Sequence, residues 1–261
     1  MTLSLGISPC PNDVFIFAGM ILGYVDVGDL DFTVQFEDVE TLNQLANRGK
    51  LDAAKISCAN FLNCSDTYEM LECGGALGRG VGPLLLSNRS AMDPAQKILS
   101  PGRFTTANFL LNFYLDRAME KHYLPFDSLY AELLGNAPAQ GVVIHEKRFT
   151  YAKDGLTLIQ DLGEYWEART GYPIPLGMLV ARRELGIKTE MERIARESLT
   201  WSYNNFDRAF ALCQNHAQDL DPKVVKAHID LYVNDYSRDL GFEGRAAIDF
   251  FLKRQRELLS M

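Results

Sequence analysis

The sequence predicts a two-lobed α/β protein, each lobe a mixed sheet flanked by helices, with a ligand cleft between the lobes. Three observations carry this expectation. From Leu3 to Ser57 the chain reads strand, helix, strand, helix, strand, the grammar of a parallel sheet covered by helices. A second unit of the same kind runs from Ile98 to His145. Around it stand two apolar strands introduced by prolines, Pro83–Ser87 and Leu176–Ala181, which read as crossovers that leave one lobe and return to it. This places residues 1–86 and 180–261 in the first lobe and 87–179 in the second.

Composition narrows the function classes. With 261 residues, 47% of them hydrophobic, the chain can bury a substantial core. A net charge of -8 argues against nucleic acid or an anionic membrane as the main partner, because both need clustered Lys and Arg. A local basic pocket for an acidic small molecule remains compatible with it. No stretch approaches the roughly 18 to 20 apolar residues of a membrane span, and no secretory signal is legible, so a cytoplasmic location is expected. The five cysteines, Cys10, Cys58, Cys64, Cys73 and Cys213, lack CxxC spacing and indicate neither a disulfide framework nor a zinc site. Cys10 is the one placed where a helix N-terminus would lower its pKa.

The first strand, Leu3–Ile7, runs into Ser8-Pro9-Cys10-Pro11-Asn12-Asp13. Pro9 and Pro11 lock φ and restrict the residues before them, so the loop is stiff. Asn12 or Asp13 then falls where a helix N-cap belongs. Such a loop holds an anionic or carbonyl group of a ligand, and it is equally what an ordinary strand-to-helix turn requires. After the alternating strand Asp31–Phe36, a helix carrying Leu42, Leu45 and Ala46 should stop near Gly49. The next strand ends at Ser57. In open α/β sheets ligands bind beyond the carboxyl ends of strands, where Ser8 and Ser57 both fall, with Lys55 on the same side as Ser57. Ser57 reads equally as the cap of a helix over 59–71. The glycine-rich stretch 74–82 lacks the GxGxxG order and reads as a flexible loop.

In the second lobe, strand and loop Ile98–Phe104 lead to Thr105 and Thr106 at the start of a helix through Met119. Their hydroxyls, with the free N–H groups there, suit either capping or an anion. The strand Gly141–His145 ends in histidine, the side chain best poised for proton transfer near pH 7, and so marks a general-base candidate. His122 and His216 fall near expected helix ends and His228 inside a helix, which makes them weaker candidates. Asp161, Glu164 and Glu167 read as a solvated acidic face. From Thr189 to Cys213 apolar residues recur by threes and fours, predicting one long helix packed on the first lobe. Helices from Asp221 to about Tyr232 and from Glu243 to Leu259 complete the chain.

The architecture resembles the type II periplasmic-binding-protein fold, and Ser8-Pro9-Cys10-Pro11-Asn12-Asp13-Val14-Phe15 resembles the opening signature of the 1,4-dihydroxy-6-naphthoate synthases of the futalosine menaquinone pathway. Further matching stretches are Asp52–Ser57, Pro101–Ala107, Gly141–Glu146, Pro175–Gly177 and Tyr232–Gly241. Val14 departs from the threonine expected in that loop. The resemblance implies a lyase that fragments cyclic dehypoxanthinyl futalosine into 1,4-dihydroxy-6-naphthoate and a sugar-derived piece. It implies His145 as the base, and Lys55, Ile56, Ser57, Thr105 and Thr106 as substrate-binding residues. Ser8 and Asn12, held by the prolines, read as orienting the substrate from the first lobe. No metal and no organic cofactor are implied, and the partner is an acidic small molecule. Two other readings share the architecture: a chorismate dehydratase, and a non-catalytic binding protein for an acidic metabolite.

Overall fold

The computed structural model describes residues 2–115, 119–217 and 221–259. They form two compact units, Met1–Gly78 with Pro175–Met261, and Arg79–Ile174. The divisions fall earlier in the chain than residues 86 and 179. The strand at 84–87 thus lies within the second unit.

The first unit begins with β1 (Thr2–Ile7) and α1 (Pro11–Ile21). Cys10 is the N-cap, without a side-chain cap bond, and Pro11 occupies the first turn. Neither Asn12 nor Asp13 is therefore the cap. Proline's φ already suits a helix and its missing N–H is not needed there, so the helix starts at the second proline. Then follow β2 (Asp31–Phe36), α2 (Val39–Asn47), β3 (Ala53–Ser57), a 3₁₀ turn at Cys58–Asn60, α3 (Phe61–Cys64), β4 (Tyr68–Met70) and β5 (Ala76–Gly78). The helix expected over 59–71 stops at Cys64. Beyond it, Tyr68–Met70 pair with a strand more than a hundred residues away, a partner that no local pattern reveals.

The second unit contains β6 (Leu84–Ser87), β7 (Ile98–Ser100), α4 (Thr106–Tyr114), β8 (Lys121–Tyr123), α5 (Phe126–Leu133), β9 (Gln140–Val143), β10 (Thr157–Asp161) and α6 (Leu162–Thr170). α4 is shorter than expected, because Leu115 is already extended; residues 116–118 lie outside the described residues. His122 is a strand residue rather than a helix end.

The chain returns through β11 (Ile174–Arg182) and closes with α7 (Lys188–Asn204), α8 (Phe206–His216), α9 (Pro222–Tyr232), α10 (Asp235–Arg238) and α11 (Gly241–Leu259). The single long helix expected from Thr189 is two, broken at Asn205 with φ -129° and ψ 46°. Asparagine competes with the backbone for hydrogen bonds, and the Asn204-Asn205 pair weakens the helix there. Both helices pack on α1. None of the described helices is long and apolar enough to cross a membrane.

In the first unit the strand order is β2-β1-β3-β11-β4, with β5 beside β11; β1 is parallel to β2 and β3, and β11 antiparallel to β3 and β4. Its core joins Leu3, Leu5 and Ile7 to Phe15, Phe17, Met191 and Ile194. In the second unit the order is β10-β6-β9-β7-β8, with β7 parallel to β8 and β9 and the other pairs antiparallel. Leu84, Leu86, Leu99, Leu129, Leu133 and Val143 build its core.

Residues 74–82 are tied down rather than flexible. Ser237 Oγ donates to the Gly75 carbonyl, Asn234 Nδ2 to the Leu77 carbonyl, and Gly74 N–H to the Ser237 carbonyl. Asn234 and Ser237 also form a capping box on α10, so the tail 232–241 serves as a clamp on this stretch. In the second unit Gly82 packs backbone to backbone on Gly163, where a Cβ would stand 2.3 Å from the Gly163 Cα. Asp161 is not part of a solvated face: it is buried, caps α6 through Gly163 N and Glu164 N, and pairs with Arg148 at 2.9 Å. Glu167 accepts from Gly80 N–H at 2.8 Å.

Candidate active site

In the first unit β1 and β3 are parallel neighbours, so their carboxyl ends leave one edge of the sheet together, carrying Ser8 and Ser57. Asp13 on the first turn of α1 collects the polar groups there. It accepts from Ser8 Oγ at 2.7 Å, Asn12 Nδ2 at 2.8 Å and Lys55 Nζ at 2.6 Å. The Lys55 and Asp13 side chains are each 5% exposed. An ammonium so buried requires a counter-charge, and Asp13 supplies it. Behind Asn12 stands His228 of α9, its Nε2 2.9 Å from Asn12 Oδ1.

Asn43 of α2 holds the end of β3. Its Oδ1 accepts from Ser57 N–H at 2.9 Å and its Nδ2 donates to Ser57 Oγ at 3.0 Å. Asn60 Nδ2 donates in turn to the Asn43 carbonyl. Ser57 precedes a 3₁₀ turn but makes no side-chain cap bond, so its hydroxyl is aligned by Asn43 rather than used as a cap. The Ile56 side chain is fully buried. Gly177, opposite Ser57 on β11, leaves space that a Cβ would take 3.0 Å from the Ile56 carbonyl and 3.6 Å from Lys55 Cε. Val14 is fully buried in the core of this unit.

In the second unit β7 and β9 are parallel, Leu99 opposite Gly141, so the loop 101–105 and the segment 144–146 leave the same sheet edge. Thr105 is the N-cap of α4: its hydroxyl accepts from Asn108 N–H at 3.1 Å and donates to the Gly102 carbonyl at 2.9 Å. Capping accounts for Thr105; Thr106 is the first residue of α4 and buried. β9 ends at Val143, and His145 opens a 3₁₀ turn through Phe149 instead of closing the strand. Its φ is 61°, the one positive value at a non-glycine residue among the described residues. For an L-residue this conformation costs roughly 1–2 kcal/mol, which the surrounding structure must offset. The imidazole is half-buried and meets the Phe126 ring edge-on at a centroid distance of 5.1 Å. Arg148 anchors the same turn through the Gly82 carbonyl and Asp161.

All five cysteines are buried and none is in a disulfide, Cys10 included. Burial pushes the thiols of Cys64, Cys73 and Cys213 up to about 12, and that of Cys58 upward as well, so these four stay neutral.

The structure groups Ser8, Asn12, Lys55 and Ser57 at one sheet edge of the first unit, and the segments carrying Thr105, Thr106 and His145 leave one edge of the second. Sequence reasoning gave Ser8 and Ser57 as strand ends, Thr105 and Thr106 as a helix start and His145 as a strand end, and it missed Asp13 as the hub, Asn43 as the partner of Ser57, and His228. For His228 a signal existed: with Val224, Val225, Ile229 and Tyr232 it occupies the buried face of α9 at helical spacing.

A family profile described as menaquinone biosynthesis matches residues 3–257. The 1,4-dihydroxy-6-naphthoate synthase of Thermus thermophilus is 40% identical over 255 residues, covering 94% of this chain and 91% of the relative. That of Streptomyces coelicolor is 38% identical over 261 residues, covering 97% and 92%. Among solved structures, protein AF1704 from Archaeoglobus fulgidus superposes with a TM-score of 0.92 at 30% identity, covering 99% of this chain and 98% of that one. The periplasmic aliphatic sulphonate binding protein SsuA of Escherichia coli superposes with a TM-score of 0.63 at 11% identity, covering 97% and 87%, which shows the periplasmic-binding-protein fold alone. A profile that spans both units, with two relatives near 40% identity over almost their whole lengths, establishes that the chain belongs to the 1,4-dihydroxy-6-naphthoate synthase family of menaquinone biosynthesis.

Proposed function

We propose that this protein is a carbon–carbon lyase that converts cyclic dehypoxanthinyl futalosine into 1,4-dihydroxy-6-naphthoate and a sugar-derived fragment, with His145 as the base. The observation that carries the reading is the near-full-length identity to two synthases named for that product. His145 supports it from the chain's own side: an imidazole held at positive φ beyond β9 is a side chain whose direction the fold maintains against local preference.

In this reading His145 accepts a proton from the sugar-derived part of the substrate. The electron pair left behind breaks the carbon–carbon bond, and aromatisation of the naphthalene ring supplies the driving force. A positioned base contributes about 10²- to 10⁴-fold in rate. Ser8, Asn12, Lys55 and Ser57, the backbone at Ile56, and Thr105 and Thr106 bind the substrate's polar groups. Because Asp13 already balances the Lys55 charge, Lys55 serves as a directed donor, with N–H groups beyond the one given to Asp13.

Purified protein incubated with the cyclic futalosine derivative, and separately with chorismate, tests this by mass spectrometry. Release of the naphthoate is expected. Loss of water from chorismate, or retention of unchanged ligand, overturns the reading. The variant His145→Ala should fold and lose turnover, and near-normal turnover in it would refute the base assignment.

A further inference from the structure

Four side chains of the first unit form one buried relay: His228, Asn12, Asp13 and Lys55. His228 is 2% exposed and joins α9, late in the chain, to the first turn of α1. Its direction can be read from hydrogen-bond chemistry. The Asp13 carboxylate, facing the Lys55 ammonium, only accepts, so the Asn12 group beside it at 2.8 Å must be the amide NH₂. The Asn12 oxygen then points to His228, and an amide oxygen also only accepts. His228 Nε2 must therefore carry a hydrogen.

We propose that His228 is a positioning residue for the reaction, locking the Asn12 amide in one orientation and through it the Asp13–Lys55 pair. The proposal rests on the reading above that Asn12 and Lys55 meet the substrate. Without the imidazole donor the Asn12 oxygen is buried without this partner, and the amide gains a reason to turn. Turned over, it sets its oxygen against the Asp13 carboxylate and withdraws one of the donors that hold that carboxylate in place. His228 itself touches no reacting atom in this role.

Three variants of the full chain separate positioning from mere support of the fold. His228→Leu removes the donor; His228→Gln restores an N–H at the place of Nε2; Ile229→Ala cuts a cavity in the same helix and leaves the relay intact. The expected result is a KM raised about tenfold to a hundredfold in His228→Leu with a smaller change in kcat, since misplaced binding groups carry penalties of that order. His228→Gln should stay near wild type, and Ile229→Ala should lose thermal stability while keeping its KM. An unchanged KM in His228→Leu, or an equal rise in Ile229→Ala, overturns the proposal.

Nitrogen NMR of the ligand-free wild type provides a test that survives misfolding of a variant. His228 should show a protonated Nε2, and an Nε2 bearing no hydrogen overturns the relay. This measurement needs no substrate. A wild type that fails to release the naphthoate therefore defeats the functional reading and leaves the relay to be judged on its own resonances.

Discussion

The Asp13 carboxylate and the Lys55 ammonium meet at 2.6 Å with both side chains 5% exposed, tying the first turn of α1 to β3 across 42 positions of sequence. Removing one partner from such a pair strands the other charge. Asp13→Ala should therefore cost about 3–5 kcal/mol in urea unfolding, and Lys55→Met a similar amount, whereas the double variant should recover most of the loss. Strict additivity in the double variant would speak against direct pairing.

His145 stands in the left-handed region, where glycine carries no Cβ penalty. His145→Gly should thus be about 1 kcal/mol more stable than His145→Ala, the reverse of the usual order of the two residues. Both should lack turnover. Thermal denaturation of the pair checks the backbone argument, and equal stability would remove it.

Gly82 and Gly163 approach so closely that neither side can yield a side chain's width without moving backbone. Gly82→Ala should destabilise the protein by about 1–3 kcal/mol or more, read as a lower unfolding midpoint. A wild-type midpoint would show that the loop simply shifts.

Cys64, Cys73 and Cys213 have thiols raised from 9.0 to about 12 by burial. An unfolded chain ionises these groups as pH passes 9 while the folded chain keeps them protonated. Stability from this source is whole below pH 9 and declines as pH rises toward 12. Urea midpoints across that window should fall, and less steeply in Cys64→Ala. Thiol reagents should react with these cysteines only on unfolding.

Alternating apolar strands, Pro9 and Pro11 at the start of α1, and the polar residues that follow each strand were enough to place Ser8 and Ser57 at strand ends and Thr105 at a helix start, while His145, expected to close β9, lies beyond it in a 3₁₀ turn. These features act over a few residues, through φ restriction, side-chain alternation and the geometry of parallel strands, so a linear reading recovers them. The partners of those residues were not recoverable in the same way. Asp13 finds Lys55, Asn43 finds Ser57, and His228 finds Asn12 across 216 positions of sequence. Tyr68–Met70 becomes a strand because β11 offers it a ladder. Burial decided these outcomes: once water is excluded, each polar group must be met by whichever complementary group the packed chain brings to it. The sequence by itself determined where the candidate side chains leave the strands and helices, and tertiary packing alone decided which groups hold them, including the positive φ at His145.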